Sequence, residues 1–170
     1  MSLDAYVGVE LEWNQPKTMR RFFTLTSGDA QIATLQFESM SRATGECDGG
    51  KWTFKRVGFF SPKATVRVAG SETDLARFAP AWMGSGAVAF AAGPQYQLRP
   101  SNFWHTEWNL EAADGRIVQT LSGRPHLMKQ GGVASLKEAG LAEAPVLLLL
   151  MWYVRVLAHD DEAAAVVAGT

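Results

Sequence analysis

Apolar and polar positions alternate along most of this chain in short runs divided by turn residues. Phe22-Phe23-Thr24-Leu25-Thr26 and Ile32-Ala33-Thr34-Leu35-Gln36-Phe37 flank Ser27-Gly28-Asp29-Ala30-Gln31 and predict a hairpin. Trp52 to Phe60 and Ala64 to Val68 form a second pair, divided at Ser61-Pro62-Lys63, where proline forbids a continuous ladder. Ala87 to Ala91 and Gln95 to Arg99 pair around Ala92-Gly93-Pro94. Phe103 to Leu110 joins Arg116 to Leu121 through the hairpin dipeptide Asp114-Gly115. In that last pair Trp104, Thr106, Trp108 and Leu110 share one face, and His105, Glu107, Asn109 and Glu111 the other. Such a sheet is packed on one side and wet on the other. Two stretches break the rhythm: Glu72 to Ala79 suits a short helix or another strand, and Gly131 to Ala142 reads as loop with a short polar strand or turn.

The run Ala144 to Ala158 is different, because it is apolar all round except for Arg155. It predicts one helix over about 144–159, which must be enclosed by lipid or by its own protein. Fifteen residues fall short of the roughly 20 that a span needs. Glu143 and His159-Asp160-Asp161-Glu162 flank it, without the basic cluster that anchors a span. Many hairpins with one apolar face need a common object to face, and a lone apolar helix is one that a closed sheet can surround. The expectation is one domain over residues 1–170, a closed antiparallel β-barrel threaded by its C-terminal helix.

Composition narrows this picture only modestly. The 170 residues are 47% hydrophobic and 19% charged, as in an ordinary globular chain. Sixteen basic against seventeen acidic residues argue against bulk attraction to nucleic acid. A single cysteine, Cys47, cannot form an internal disulfide, and the N-terminus carries no secretory pattern. Both point to a reducing, cytoplasmic setting, with peripheral membrane contact as its extension.

Several segments add a likeness. They are Leu11-Glu12-Trp13-Asn14-Gln15-Pro16, Ala33 to Phe37, Lys51 to Phe60, Val66-Arg67, Phe103 to Trp108 and the terminal Leu147 to Leu157. In this order they resemble small bacterial members of the tubby C-terminal-like superfamily, which includes phospholipid scramblases and LURP-one-related proteins. The resemblance implies a barrel of about twelve strands around a buried hydrophobic helix, and a link to membrane phosphoinositides or lipids. The family's basic phosphoinositide site does not match residue by residue, so that activity is not carried over.

Catalytic motifs do not survive inspection. Gly45-Glu46-Cys47-Asp48-Gly49-Gly50-Lys51 has P-loop spacing, but Trp52 stands where magnesium needs Ser or Thr. Its acids repel phosphate, and a glycine-rich turn explains it. His105 and Glu107 could share a metal from one strand face, yet only His126 and His159 remain as histidine ligands. His159-Asp160-Asp161-Glu162 reads as a solubilising helix end, since consecutive helical residues diverge. Gly84-Ser85-Gly86 lacks nucleophile-elbow spacing, and acidic neighbours work against Cys47 as a nucleophile. No cofactor is implied.

The candidate ligand-binding residues are Lys55, Arg56, Lys63, Arg67 and Arg155. The first four belong to a stretch without acids, Gly49 to Ser71, and could present a basic face to anionic headgroups. Solvated strand faces explain the same residues without any partner. Arg155 either snorkels at the barrel mouth or faces a ligand there. The resulting expectation is a non-enzymatic module for an anionic lipid headgroup, a small molecule or a protein partner. The alternatives are an enzyme with a dispersed site, marked by a polar pocket, and a structural interaction domain, marked by an exposed apolar face.

Overall fold

Alternation along twelve successive strands is satisfied by closure. The computed structural model describes residues 2–124 and 129–169. Its strands are β1 (Glu10–Asn14), β2 (Phe22–Ser27), β3 (Ala30–Phe37), β4 (Arg42–Cys47), β5 (Gly50–Val57), β6 (Lys63–Val68), β7 (Ala76–Pro80), β8 (Gly86–Phe90), β9 (Gln95–Pro100), β10 (Glu107–Ala112), β11 (Ile117–Arg124) and β12 (Gly131–Leu136). Each pairs antiparallel with the next, and β12 returns to β1 with Leu11 opposite Ala134 and Trp13 opposite Gly132. Among the described strands no edge is left unpaired, which removes the usual aggregation hazard of a β-sheet. Inward positions such as Leu11, Phe23, Leu35, Phe54, Val66 and Leu110 are fully buried.

The helix α1 (Ala144–Ala168) threads the barrel. Pro145 stands in its first turn, where a missing N–H costs nothing. Leu147 to Tyr153 are buried without interruption, as a helix enclosed on every side requires. Trp152 stacks on Trp13 with ring centroids 5.3 Å apart, and Tyr153 on Phe37 at 5.5 Å. The helix is off-centre: it lies nearest β3, β4 and β5. Ala43 and Gly45 on β4 and Gly132 on β12 admit it, and a Cβ at Gly45 or Gly132 would press on Leu149 or Trp152.

A strict up-and-down barrel sorts its connections between two ends. The β2–β3, β4–β5, β6–β7, β8–β9 and β10–β11 turns form the base, where the Leu3–Tyr6 turn also docks: its Val7 bridges Leu136, and Asp4 accepts a hydrogen bond from Gly140 N–H at 2.7 Å. The base is acidic, with Asp29, Asp48, Glu72, Asp74, Asp114 and Glu138 in its connections. The β1–β2, β3–β4, β5–β6, β7–β8, β9–β10 and β11–β12 connections form the opposite rim. The helix enters at the base and emerges at the rim, where Tyr153 O–H donates to the Ser41 carbonyl.

Several expectations need correction. The helix runs past its expected end at His159 and continues to Ala168. Asp160 and Asp161 are not merely a solubilising end: they pair with Arg21 and Arg56 and clasp the emerging helix to the rim. Phe59 and Phe60 leave the strand because Gly58 adopts φ +91° and turns the chain out. Phe103 to Thr106 are loop, so Trp104 and Thr106 do not extend the apolar face of Trp108 and Leu110. Of the two readings of Glu72 to Ala79 the strand holds, as β7 after a turn. The short strand expected within Gly131 to Ala142 is β12, which is largely buried rather than polar and closes the barrel. Gly45 to Cys47 lie in β4, leaving Asp48-Gly49 as the turn.

Candidate functional site

Because α1 leans toward β3–β5, space remains between it and the opposite wall. An open cavity of about 300 Å³ lies there at the rim end, walled by Phe78, Leu98, Trp108, Met151, Val154 and Leu157. That is near the lower limit of small-molecule sites, which run roughly 300–1,000 Å³. Pro62, Ala81, Ser85 and His105, from three successive rim loops, border its entrance. His105 has φ +52°, which ends the strand alternation before β10 and separates it from the outward face of Glu107. The expected His105/Glu107 pairing on one strand face is therefore lost.

Arg155 borders the same cavity, half-buried, with its guanidinium carbon 5.0 Å from the Trp108 ring centroid. Burial pushes the guanidinium below its ordinary pKa, and Glu162 only partly opposes this. Among the described residues Arg155 makes no hydrogen bond and no ion pair. Arg56 also faces the mouth, but both its terminal nitrogens bind Asp161, at 3.0 and 2.8 Å. That two-point pairing commits its charge to holding the helix.

The other candidates lie elsewhere. Lys55, Lys63 and Arg67 face outward along a groove over β4–β7 that also holds Arg42 and Arg77. Arg67 donates to Asp74 at 2.7 Å and pairs with Glu72 at 3.3 Å, while Arg77 also binds Asp74. The Asp74 carboxyl is held below the usual carboxylate range, first by its bond from Arg67 and then by Arg77. Lys55 and Lys63 have no ion pair among the described residues. Lys63 alone borders both the groove and the mouth cavity. The structure thus divides the five candidates between an outer wall and the mouth.

The strongest feature of the rim is one that sequence reasoning assigned to strands or passed over. Met19, Met40, Phe59, Phe60, Trp82, Phe103 and Trp104 all occupy rim loops, each at least 69% exposed. By contrast, Val68 and Ile117 near the base are less than half exposed. The five aromatics sit on the β5–β6, β7–β8 and β9–β10 loops, neighbours about 10 Å apart given two strand spacings. The same three loops border the cavity entrance through Pro62, Ala81, Ser85 and His105. Phe59–Phe60 and Phe103–Trp104 meet edge to face, with centroids 5.1 and 5.3 Å apart.

Among the described residues no group of three or more His, Cys, Asp or Glu is placed to hold a metal. His126, weighed as a ligand, lies outside those residues. No helix among them is long and apolar enough to cross a membrane. Comparison with protein-family models, curated proteins and solved structures found no match.

Proposed function

We propose that this protein is a non-enzymatic binding module that seats its rim on a bilayer surface containing anionic lipid. The observation that carries the reading is the confinement of Phe59, Phe60, Trp82, Phe103 and Trp104 to loops at one end of the barrel. Aromatic rings with one apolar body favour the membrane–water interface, where they bury surface that water would otherwise contact. Lys17, Arg20 and Lys129 occupy the same rim, and Lys55 and Lys63 stand just below it. Each basic residue near an anionic surface adds about 1 kcal/mol of attraction. Two of the three acids on the emerging helix are already matched by Arg21 and Arg56, and the acidic base faces away. A relation to the tubby C-terminal-like superfamily, whose members enclose a helix in a barrel, would add a link to lipids.

Vesicle co-sedimentation tests the reading. Wild type should bind phosphatidylcholine vesicles weakly and phosphatidylserine-containing vesicles more strongly, with the difference screened by salt. A Phe60→Ser/Trp104→Ser variant should lose binding to both, and Lys55→Gln/Lys63→Gln only the salt-sensitive part. Binding indifferent to anionic lipid, or an aromatic variant that binds as wild type does, refutes it. A lipid-free dimer abolished by the same serine substitutions would assign the rim to self-association instead.

A further inference from the structure

The mouth cavity itself has features that bilayer docking does not use. Phe78, Leu98, Met151 and Val154 line both the cavity and a smaller void of about 10 Å³ deeper along α1. That deeper space is walled entirely by apolar side chains and is at the limit of what one water molecule fills, so it has no polar partner for water. The cavity is therefore a slot: apolar at depth, and polar where Arg155 and His105 meet it.

Charge at the entrance is specific in sign and number. Arg56 and Asp161 satisfy each other, which leaves Arg155 and Lys63 against Glu162. The net of one positive charge suits a monoanion. A half-buried guanidinium without an acceptor among the described residues is costly to keep, and a planar carboxylate is the acceptor it binds best, by two parallel hydrogen bonds. Trp108 supports the guanidinium by its ring face.

We infer that the mouth cavity binds a single-chain aliphatic carboxylate, with its chain along α1 and its carboxylate on Arg155. This rests on the binding-module reading above but not on the bilayer. An aliphatic chain suits the slot because Phe78, Leu98, Met151 and Val154 continue its apolar lining to the void beside the helix.

Calorimetric titration of the whole protein, without vesicles and with micelle-free solutions of decanoate, octanoate, decanol and decyl phosphate, tests the assignment. Decanoate should bind saturably at one site, and each methylene removed should weaken binding about fourfold. Arg155→Gln should lower decanoate affinity at least tenfold while leaving decanol unchanged. Ala81→Trp, at the exposed entrance, should block both without disturbing the core. Absence of saturable decanoate binding, tighter binding of decyl phosphate than of decanoate, or equal affinity of wild type and Arg155→Gln for decanoate overturns the inference. Since no membrane is present, failure here leaves the vesicle result standing, and failure of vesicle binding leaves this one.

Discussion

Gly45→Ala probes the placement of the helix on which the mouth cavity depends. A Cβ at position 45 would lie 2.9 and 3.0 Å from the two Leu149 methyl carbons and 3.1 Å from Phe54 Cε2. Carbon atoms prefer about 3.5–4.0 Å, so at least one neighbour must move. Leu149 and Phe54 are both fully buried. Overpacking of this kind costs about 1–3 kcal/mol. Alanine in a strand regains about 0.5–1 kcal/mol over glycine, leaving a net loss near 1–2 kcal/mol. Leu149→Ala alone should cost about 2–5 kcal/mol through the cavity it leaves. In the double variant the new methyl occupies part of that cavity, so the losses should fall short of additivity by about 1 kcal/mol. Urea unfolding monitored by the fluorescence of buried Trp13 and Trp152 measures all three. A neutral Gly45→Ala, or strict additivity in the double variant, would show that α1 does not press on β4.

Two further predictions concern polar groups held in the wall and at the clasp. Gln119 on β11 is 1% exposed, and neither its amide nitrogen nor its oxygen has a partner among the described residues. Such burial costs about 1–3 kcal/mol, so Gln119→Leu should raise the urea midpoint; a lowered midpoint would reveal a bound water satisfying the amide. Burial pushes the Asp160 carboxyl above the usual carboxylate range despite its bond from Arg21. A carboxyl raised on folding weakens the fold while ionised, so its contribution becomes more favourable as pH falls from neutral through its folded value. Asp160→Asn, which keeps an acceptor for Arg21, should be at least as stable as wild type at neutral pH. The advantage should shrink on mild acidification, and a destabilised Asn variant would mean that the ion pair outweighs burial.

The hairpins around Gly28-Asp29, Gly93-Pro94 and Asp114-Gly115 were legible because turn chemistry and alternation are local. So was α1, whose uniform apolarity demands an enclosure whatever the topology. β4 and β12 were not, and the reason is physical. Ala43 and Gly45 face the helix where it lies nearest the wall, and Gly132 makes room for the Trp152 ring, so these strands carry small residues where a strand signal needs large ones.

Sequence alone determined the strand-forming runs, the enclosed helix and the one charge that interrupts it. Only the tertiary structure decided which of those features meet. Strand parity in a closed meander sends every second connection to the same end, so aromatics as far apart in sequence as Phe59 and Trp104 share a rim. Arg56 and Asp161, 105 residues apart, cancel at the mouth, whereas Arg155 has no hydrogen bond or ion pair among the described residues and lies against the face of Trp108. Periodicity reports which face of a strand a residue occupies; the end of the barrel it reaches, and the charge it meets there, depend on closure.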